Sequence, residues 1–244
     1  MKTILLTLLL ATPALADHHK EKDQRTGLPK VIDPTALTEA GFVNLFNGKD
    51  FSGWRKTGGD ASYEIQDDAI RGFGKNINKN TFLRTEKEYG DFIFAFQFKF
   101  LDKSGNSGCM FRALHKKATE KEPDGRVTGY QCEHDNTKVP QRSWTAGIYD
   151  EARRGWLYPA KDLSSAKKAA FSEQGERLFK WDDWNTIVIK CKGNRLQTWL
   201  NGRQRADFED TDEEHTTLKG FLALQVHGGK SGDILWKNLY LKEL

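Results

Sequence analysis

Phe92-Ile93-Phe94-Ala95-Phe96-Gln97-Phe98-Lys99-Phe100 carries a phenylalanine at every second position. Alternate side chains of an extended chain share a face, so all of these rings point one way. On a helix the same spacing would scatter them around the circumference. A strand with such an aromatic face needs a second apolar layer to bury it, which makes it the centre of one sheet packed on another.

Working outward, shorter strands follow the same logic. Residues 41–54 alternate apolar side chains around an Asn47-Gly48 tight-turn or hairpin signal, with Phe46 and Trp54 as core anchors. Residues 63–66, 69–72 and 81–85 read as strands separated by polar or glycine-containing turns. Residues 184–191 and 195–200 flank Lys192-Gly193-Asn194 as a hairpin. In residues 220–228, Leu222, Leu224 and Val226 turn inward, while Phe221, Ala223, Gln225 and His227 take the other face. Residues 234–241 close the domain. Only residues 164–180 have helical character, as a charged surface insertion. Many short strands and almost no helix predict an all-β, two-sheet antiparallel sandwich, and the lack of an internal repeat argues against a propeller or solenoid.

Residues 1–16 read as a secretory signal peptide: Lys2, an apolar run from Ile4 to Ala11, then Ala14-Leu15-Ala16. Residues 17–37 read as a flexible polar segment containing His18-His19, and residues 38–244 as a single β-sandwich domain. The expected location is secreted or periplasmic, with no membrane insertion, because no later apolar run could span a bilayer. The net charge of +4 is dispersed among carboxylates, so no nucleic-acid partner is expected. Cys109, Cys132 and Cys191 form no Cys-x-x-Cys pair and read as buried thiols.

The chemistry centres on Gly129-Tyr130-Gln131-Cys132-Glu133-His134-Asp135-Asn136. Here Gln131, Glu133 and Asp135 share one face, and Tyr130, Cys132 and His134 the other. An amide and two carboxylates along about 14 Å of strand suit a polar cleft, and they equally suit the solvated face of an antiparallel sheet.

Several segments together resemble the 3-keto-disaccharide hydrolase family: 42–50, Gly105-Asn106-Ser107-Gly108 ahead of Arg112, Gly129-Tyr130-Gln131-Cys132-Glu133, Trp184-Asn185, Leu200-Asn201-Gly202, Leu224-Gln225-Val226-His227-Gly228 and Trp236-Lys237-Asn238-Leu239. They occur in the family's order over nearly the whole chain after the leader. The resemblance implies a concanavalin A-like jelly roll with a carbohydrate site on the concave sheet, and a sugar oxidised at carbon 3 as substrate. The chain departs from the commoner family form at one pair, with Gln131 where Glu is usual and Glu133 where Gln is usual.

A 3-keto sugar has an acidic proton on carbon 2, so cleavage by elimination and hydration needs a base, an acid and a group to hold the enolate oxygen. Glu133 is the candidate base, His227 the candidate acid because imidazole titrates near neutral pH, and Arg112 the candidate enolate holder. Asn106, Gln131, Asp135 and Gln225 are candidate substrate-binding groups. Tyr149, Trp156 and Tyr158 offer aromatic faces for pyranose rings, with Arg153 and Arg154 for hydroxyls or an acidic group. No cofactor is expected. A divalent cation on Asp135, Glu133 and His227 is the weaker reading, for lack of compact ligand spacing. The alternative function is a non-catalytic carbohydrate-binding module using the same face. A conventional endoglucanase is disfavoured because Thr137-Lys138 follows where a second Glu would be expected.

Overall fold

The computed structural model describes residues 32–102, 106–120, 125–135 and 143–244. The expected signal peptide, most of the 17–37 segment, Gly105 and Asn136 lie outside the described residues. In chain order the elements are α1 (Pro34–Glu39), β1 (Val43–Asn44), β2 (Trp54–Gly58), β3 (Ser62–Gln66), β4 (Ala69–Ile77), β5 (Thr81–Tyr89), β6 (Phe92–Phe100), β7 (Asn106–Lys116), β8 (Arg126–Asp135), β9 (Ile148–Glu151), β10 (Gly155–Tyr158), α2 (Ser165–Leu178), β11 (Asn185–Lys192), β12 (Arg195–Leu200), β13 (Arg203–Glu209), β14 (Gly220–Val226) and β15 (Gly229–Glu243).

Two antiparallel sheets result, as the alternation predicts. One runs β13-β12-β11-β6-β15-β4-β3, with β1 also paired to β15, and the other runs β10-β9-β8-β7-β14-β5-β2. The phenylalanine strand β6 sits centrally, between β11 and β15. All five rings are buried, from 0% exposed at Phe92 to 6% at Phe100, and each burial contributes about 2 kcal/mol relative to exposure. Facing them from the second sheet are Cys109, Phe111, Tyr130, Cys132, Leu222, Leu224 and Val226. All three cysteines are free and buried.

Helix α1 straddles the expected boundary at residue 38. Asp33 caps it by accepting from the Thr35 and Ala36 amides, and Ile32 and Leu37 bury against Ala95, Val188 and Trp199 on the outer face of the first sheet. Residues 32–37 are therefore part of the domain. Asn47-Gly48 makes a tight turn and no hairpin: the Asn47 side chain accepts from the Lys49 and Asp50 amides, and β1 pairs with β15 instead.

Helix α2 is docked rather than free on the surface. Arg205 reaches it from β13, donating to the carbonyl of Phe171 and to Gln174, while the same guanidinium donates to the carbonyls of Ser143 and Thr145. Gly175 permits that contact, since a Cβ there would lie 2.1 Å from the Ser143 carbonyl oxygen.

On the outer face of the second sheet, Phe82, Met110, Ala113, Val127, Phe221 and Ala223 form a separate apolar cluster. This cluster fills one part of that face and leaves polar side chains of β8 and β9 and aromatic rings of β9 and β10 to line what remains open.

Candidate active site

Glu133 is held from two sides. Asn106 Nδ2 donates to Glu133 Oε1 at 2.6 Å and Gln131 Nε2 donates to Oε2 at 2.9 Å. The carboxylate thus accepts an amide proton at each oxygen, the arrangement suited to its ionised form, and Glu133 is only 4% exposed. Register explains the clamp. Glu133 lies opposite Gly108 on β7, and a Cβ at 108 would fall 2.5 Å from Gln131 Cδ. The missing side chain is the space that Gln131 crosses to reach its neighbour. The backbone of Glu133 is fixed as well, exchanging hydrogen bonds with Gly147 and Ala146.

A cavity of about 470 Å³ opens over this clamp, lined by Asn106, Gln131 and Glu133 together with Tyr149, Glu151, Trp156 and His227. That volume lies in the range of small-ligand sites. Tyr149 is opposite Gln131, and Trp156 is opposite Tyr149, so an amide and two aromatic rings form one cross-strand row. Trp156 stands edge-on between Trp144, 4.5 Å away, and Tyr149, 5.2 Å away. Trp144 is held by Ser172 of α2, which ties the helix to the cavity wall. His227 follows β14, and its Nδ1 lies 2.6 Å from the Gly228 carbonyl. A carbonyl can only accept, so Nδ1 carries a proton in this contact.

Six of the expected site residues therefore meet: Glu133, His227, Asn106, Gln131, Tyr149 and Trp156. The others do not. Arg112 sits at a β-bulge with φ of 47°, where β7 spends one extra residue between its pairs with Tyr130 and Thr128. The bulge reverses side-chain parity. The Arg112 side chain is fully buried, donating to the carbonyls of Gly90 and Gly193 and to Asp91 at 2.7 Å. It holds strand ends together and takes no part in the cavity.

Arg153 and Arg154 are likewise structural. Both bond to the fully buried Asp150 at 2.6 Å, and Arg154 also bonds Asp210 at 2.7 Å. Burial alone would raise the Asp210 carboxyl, but hydrogen bonds from Arg154 and Tyr130 outweigh it and hold the group at about 2. This network locks the β9–β10 turn, where Ala152 and Gly155 take positive φ, and thereby sets Tyr149 and Trp156. Tyr158 packs on Phe171.

Asp135 is buried, its backbone bonded to the Thr145 hydroxyl, and does not line the cavity. Gln225 is fully buried beside Gly108 on β14; neither amide atom has a partner among the described residues. Glu133, Asp135 and His227 do not gather as a cation site: among the described residues no group of three or more His, Cys, Asp or Glu could hold a metal ion.

Glu151 is the site residue that the sequence reading missed. Its signal was present, since Glu151 is two residues beyond Tyr149 and so shares its strand face. Glu151 pairs across from Gly129 and accepts from Asn80 Nδ2 at 3.3 Å.

Residues 41–242 match the family described as 3-keto-alpha-glucoside-1,2-lyase-like domain. A curated relative from Bacteroides thetaiotaomicron, named 3-keto-disaccharide hydrolase, is 32% identical over 96 residues, a match spanning 35% of this chain and 31% of that protein. Among solved structures, a candidate glycosyl hydrolase from Parabacteroides distasonis aligns with a TM-score of 0.54 at 20% identity, over 88% of this chain and 99% of that one. A Bacillus subtilis protein of unknown function with a galectin-like fold aligns with a TM-score of 0.57 at 11% identity, over 83% and 98%. At such identities the structural likeness concerns fold alone. No helix among the described residues is long and apolar enough to cross a membrane.

Proposed function

The chain belongs to the 3-keto-alpha-glucoside-1,2-lyase-like domain family, and on that footing we propose that it is an exported enzyme that cleaves 3-keto-glycosides by elimination followed by hydration. The observation that carries this reading is the clamped Glu133, which shares one sugar-sized cavity with Tyr149, Trp156 and His227. Export rests on the leader-like pattern of residues 1–16.

The pyranose ring lies on the Gln131-Tyr149-Trp156 row, its CH face against the aromatic rings. Glu133 removes the proton from carbon 2, which the carbon 3 ketone acidifies, and the C–H electron pair becomes the enolate. With Arg112 committed elsewhere, the enolate oxygen is met by neutral donors of the cavity such as the amides of Asn106 and Gln131. Reformation of the ketone then drives the pair into a carbon 1–carbon 2 double bond and expels the glycosidic oxygen. Water adds across that double bond, its oxygen to carbon 1, and Glu133 returns the proton to carbon 2. The two amide donors position the base before reaction, so little reorganisation is needed at the transition state.

The test is incubation of the purified protein with the 3-keto and the unoxidised form of one disaccharide, with and without chelator, following product by mass. Turnover of the 3-keto form alone is expected. Binding of either sugar without turnover would replace the enzyme by a carbohydrate-binding module, and hydrolysis of the unoxidised form would point to ordinary glycoside hydrolysis.

A further inference from the structure

Beyond the main cavity lies a second hollow of about 280 Å³ lined by Lys79, Asn80, Phe82, Arg126 and Glu151 among others. Glu151 lines both spaces. A bond linking a sugar in the first cavity to a group in the second must pass this side chain. We propose that Glu151 is the proton donor to the departing glycosidic oxygen and that the second hollow receives the leaving group, a second sugar. This rests on the elimination reading above and names the acid and the leaving-group site that it requires.

Geometry supports the assignment in three ways. Glu133 pairs with Gly108 and Glu151 with Gly129, so on adjacent strands the two α-carbons are about 14 Å apart, at roughly 3.4 Å per residue and 4.8 Å between strands. Gln131 and Tyr149 lie between them as a floor. Glutamates at the two ends of that floor bracket the carbon 1–carbon 2 bond of a ring lying on it, one carboxyl for the carbon 2 proton and the other for the oxygen on carbon 1. Second, Asn80 Oδ1 accepts from the Gly228 amide at 2.9 Å, which turns Asn80 Nδ2 toward Glu151 Oε1. Oε1 is thereby the acceptor, and the acid proton belongs on Oε2. Third, burial raises the Glu151 carboxyl against the opposing pull of Arg126, His227 and the Asn80 hydrogen bond, with Asp150 adding to the rise. The side chain is thus biased toward holding a proton.

The proton count closes. Glu133 gains the carbon 2 proton while Glu151 gives its own to the leaving oxygen as the carbon 1–oxygen bond breaks. In hydration the Glu151 carboxylate takes a proton from the water that adds to carbon 1, and Glu133 returns its proton to carbon 2. Both groups end as they began, and His227 is left free of the acid role. Phe82 offers an apolar floor to the second sugar, and Arg126 and Lys79 offer charged donors to its hydroxyls.

The experiment compares wild type and Glu151→Gln on a 3-keto-disaccharide and on the 4-nitrophenyl 3-keto-glucoside, whose nitrophenolate leaves without a proton. The expected loss in kcat/KM is about 100-fold or more on the disaccharide and at least about tenfold smaller on the nitrophenyl substrate. The fall in wild-type kcat/KM at high pH, where the acid has lost its proton, should disappear in the variant. Equal losses on both substrates, or no loss on the disaccharide, overturn the proton-donor role. In Arg126→Ala the KM advantage of the disaccharide over the methyl 3-keto-glucoside should shrink, and an unaltered advantage removes the second hollow from binding. Failure of the wild type on every 3-keto substrate refutes the parent reading and takes this one with it.

Discussion

His134 offers a stability prediction that can be worked through from its surroundings. Its ring is fully buried between the sheets, stacked on Phe98 at 4.1 Å and 11° and near Phe96 at 5.6 Å. Neither ring nitrogen makes a well-formed hydrogen bond among the described residues, and the pull of the nearby Glu133 backbone is too weak to offset burial. Burial therefore penalises the imidazolium and lowers the pKa from 6.5 to about 4. The unfolded chain takes up this proton as the pH falls through 6.5, whereas the folded protein resists until about 4. In that window the unfolded state binds more protons, so the contribution is fully present above 6.5 and is lost as the pH falls toward 4. Linkage with those two values gives a loss of about 2 kcal/mol between pH 7 and pH 5. His134→Phe keeps an aromatic ring against Phe98 and removes the titration. Urea unfolding of both proteins at the two pH values isolates the effect, because other titrating groups cancel in the comparison. Wild type should lose about 2 kcal/mol more than the variant on acidification. Equal losses within about 0.5 kcal/mol, the scale at which distant effects fail to add, would refute the claim that a solitary neutral imidazole lies in the core.

Other outcomes follow from the clamp and from the displaced arginine. Glu133→Gln should lower kcat/KM on a 3-keto-glycoside by about 10²- to 10⁴-fold in the folded protein, with about 1 to 3 kcal/mol lost in stability because the new amide turns an N–H toward one of the two donors that clamp the carboxylate; retained activity would remove Glu133 from the chemistry. Gly108→Ala places a methyl 2.5 Å from Gln131 Cδ and should push Gln131 off Glu133, so activity should drop more than stability in paired kinetic and melting measurements. Arg112→Met should cost about 2 kcal/mol or more in urea unfolding, because it removes the donor to the carbonyls of Gly90 and Gly193 and one partner of Asp91. Such a loss of stability, with kinetics preserved in the folded fraction, separates this role from enolate binding.

Local alternation determined the architecture. The phenylalanine run, the inward Leu222-Leu224-Val226 set and the shared face of Gln131 and Glu133 can all be read from period two, since side-chain direction in a strand depends only on residue parity. The same rule puts His227 on the face of Gln225 and, applied to β9, puts Glu151 on the face of Tyr149; Tyr149 and Trp156 were legible only as aromatic rings that suit a pyranose. Tertiary structure decided what parity cannot. A one-residue bulge at Arg112 turned an expected cleft cation into a strand-end tie. Arg154 was claimed by Asp210, 56 residues away, and Asn80 was brought to Glu151 across 71 residues. Those pairings depend on sheet register and on loops crossing the sheet face, which arise only when distant strands meet, so no short window of sequence contains them.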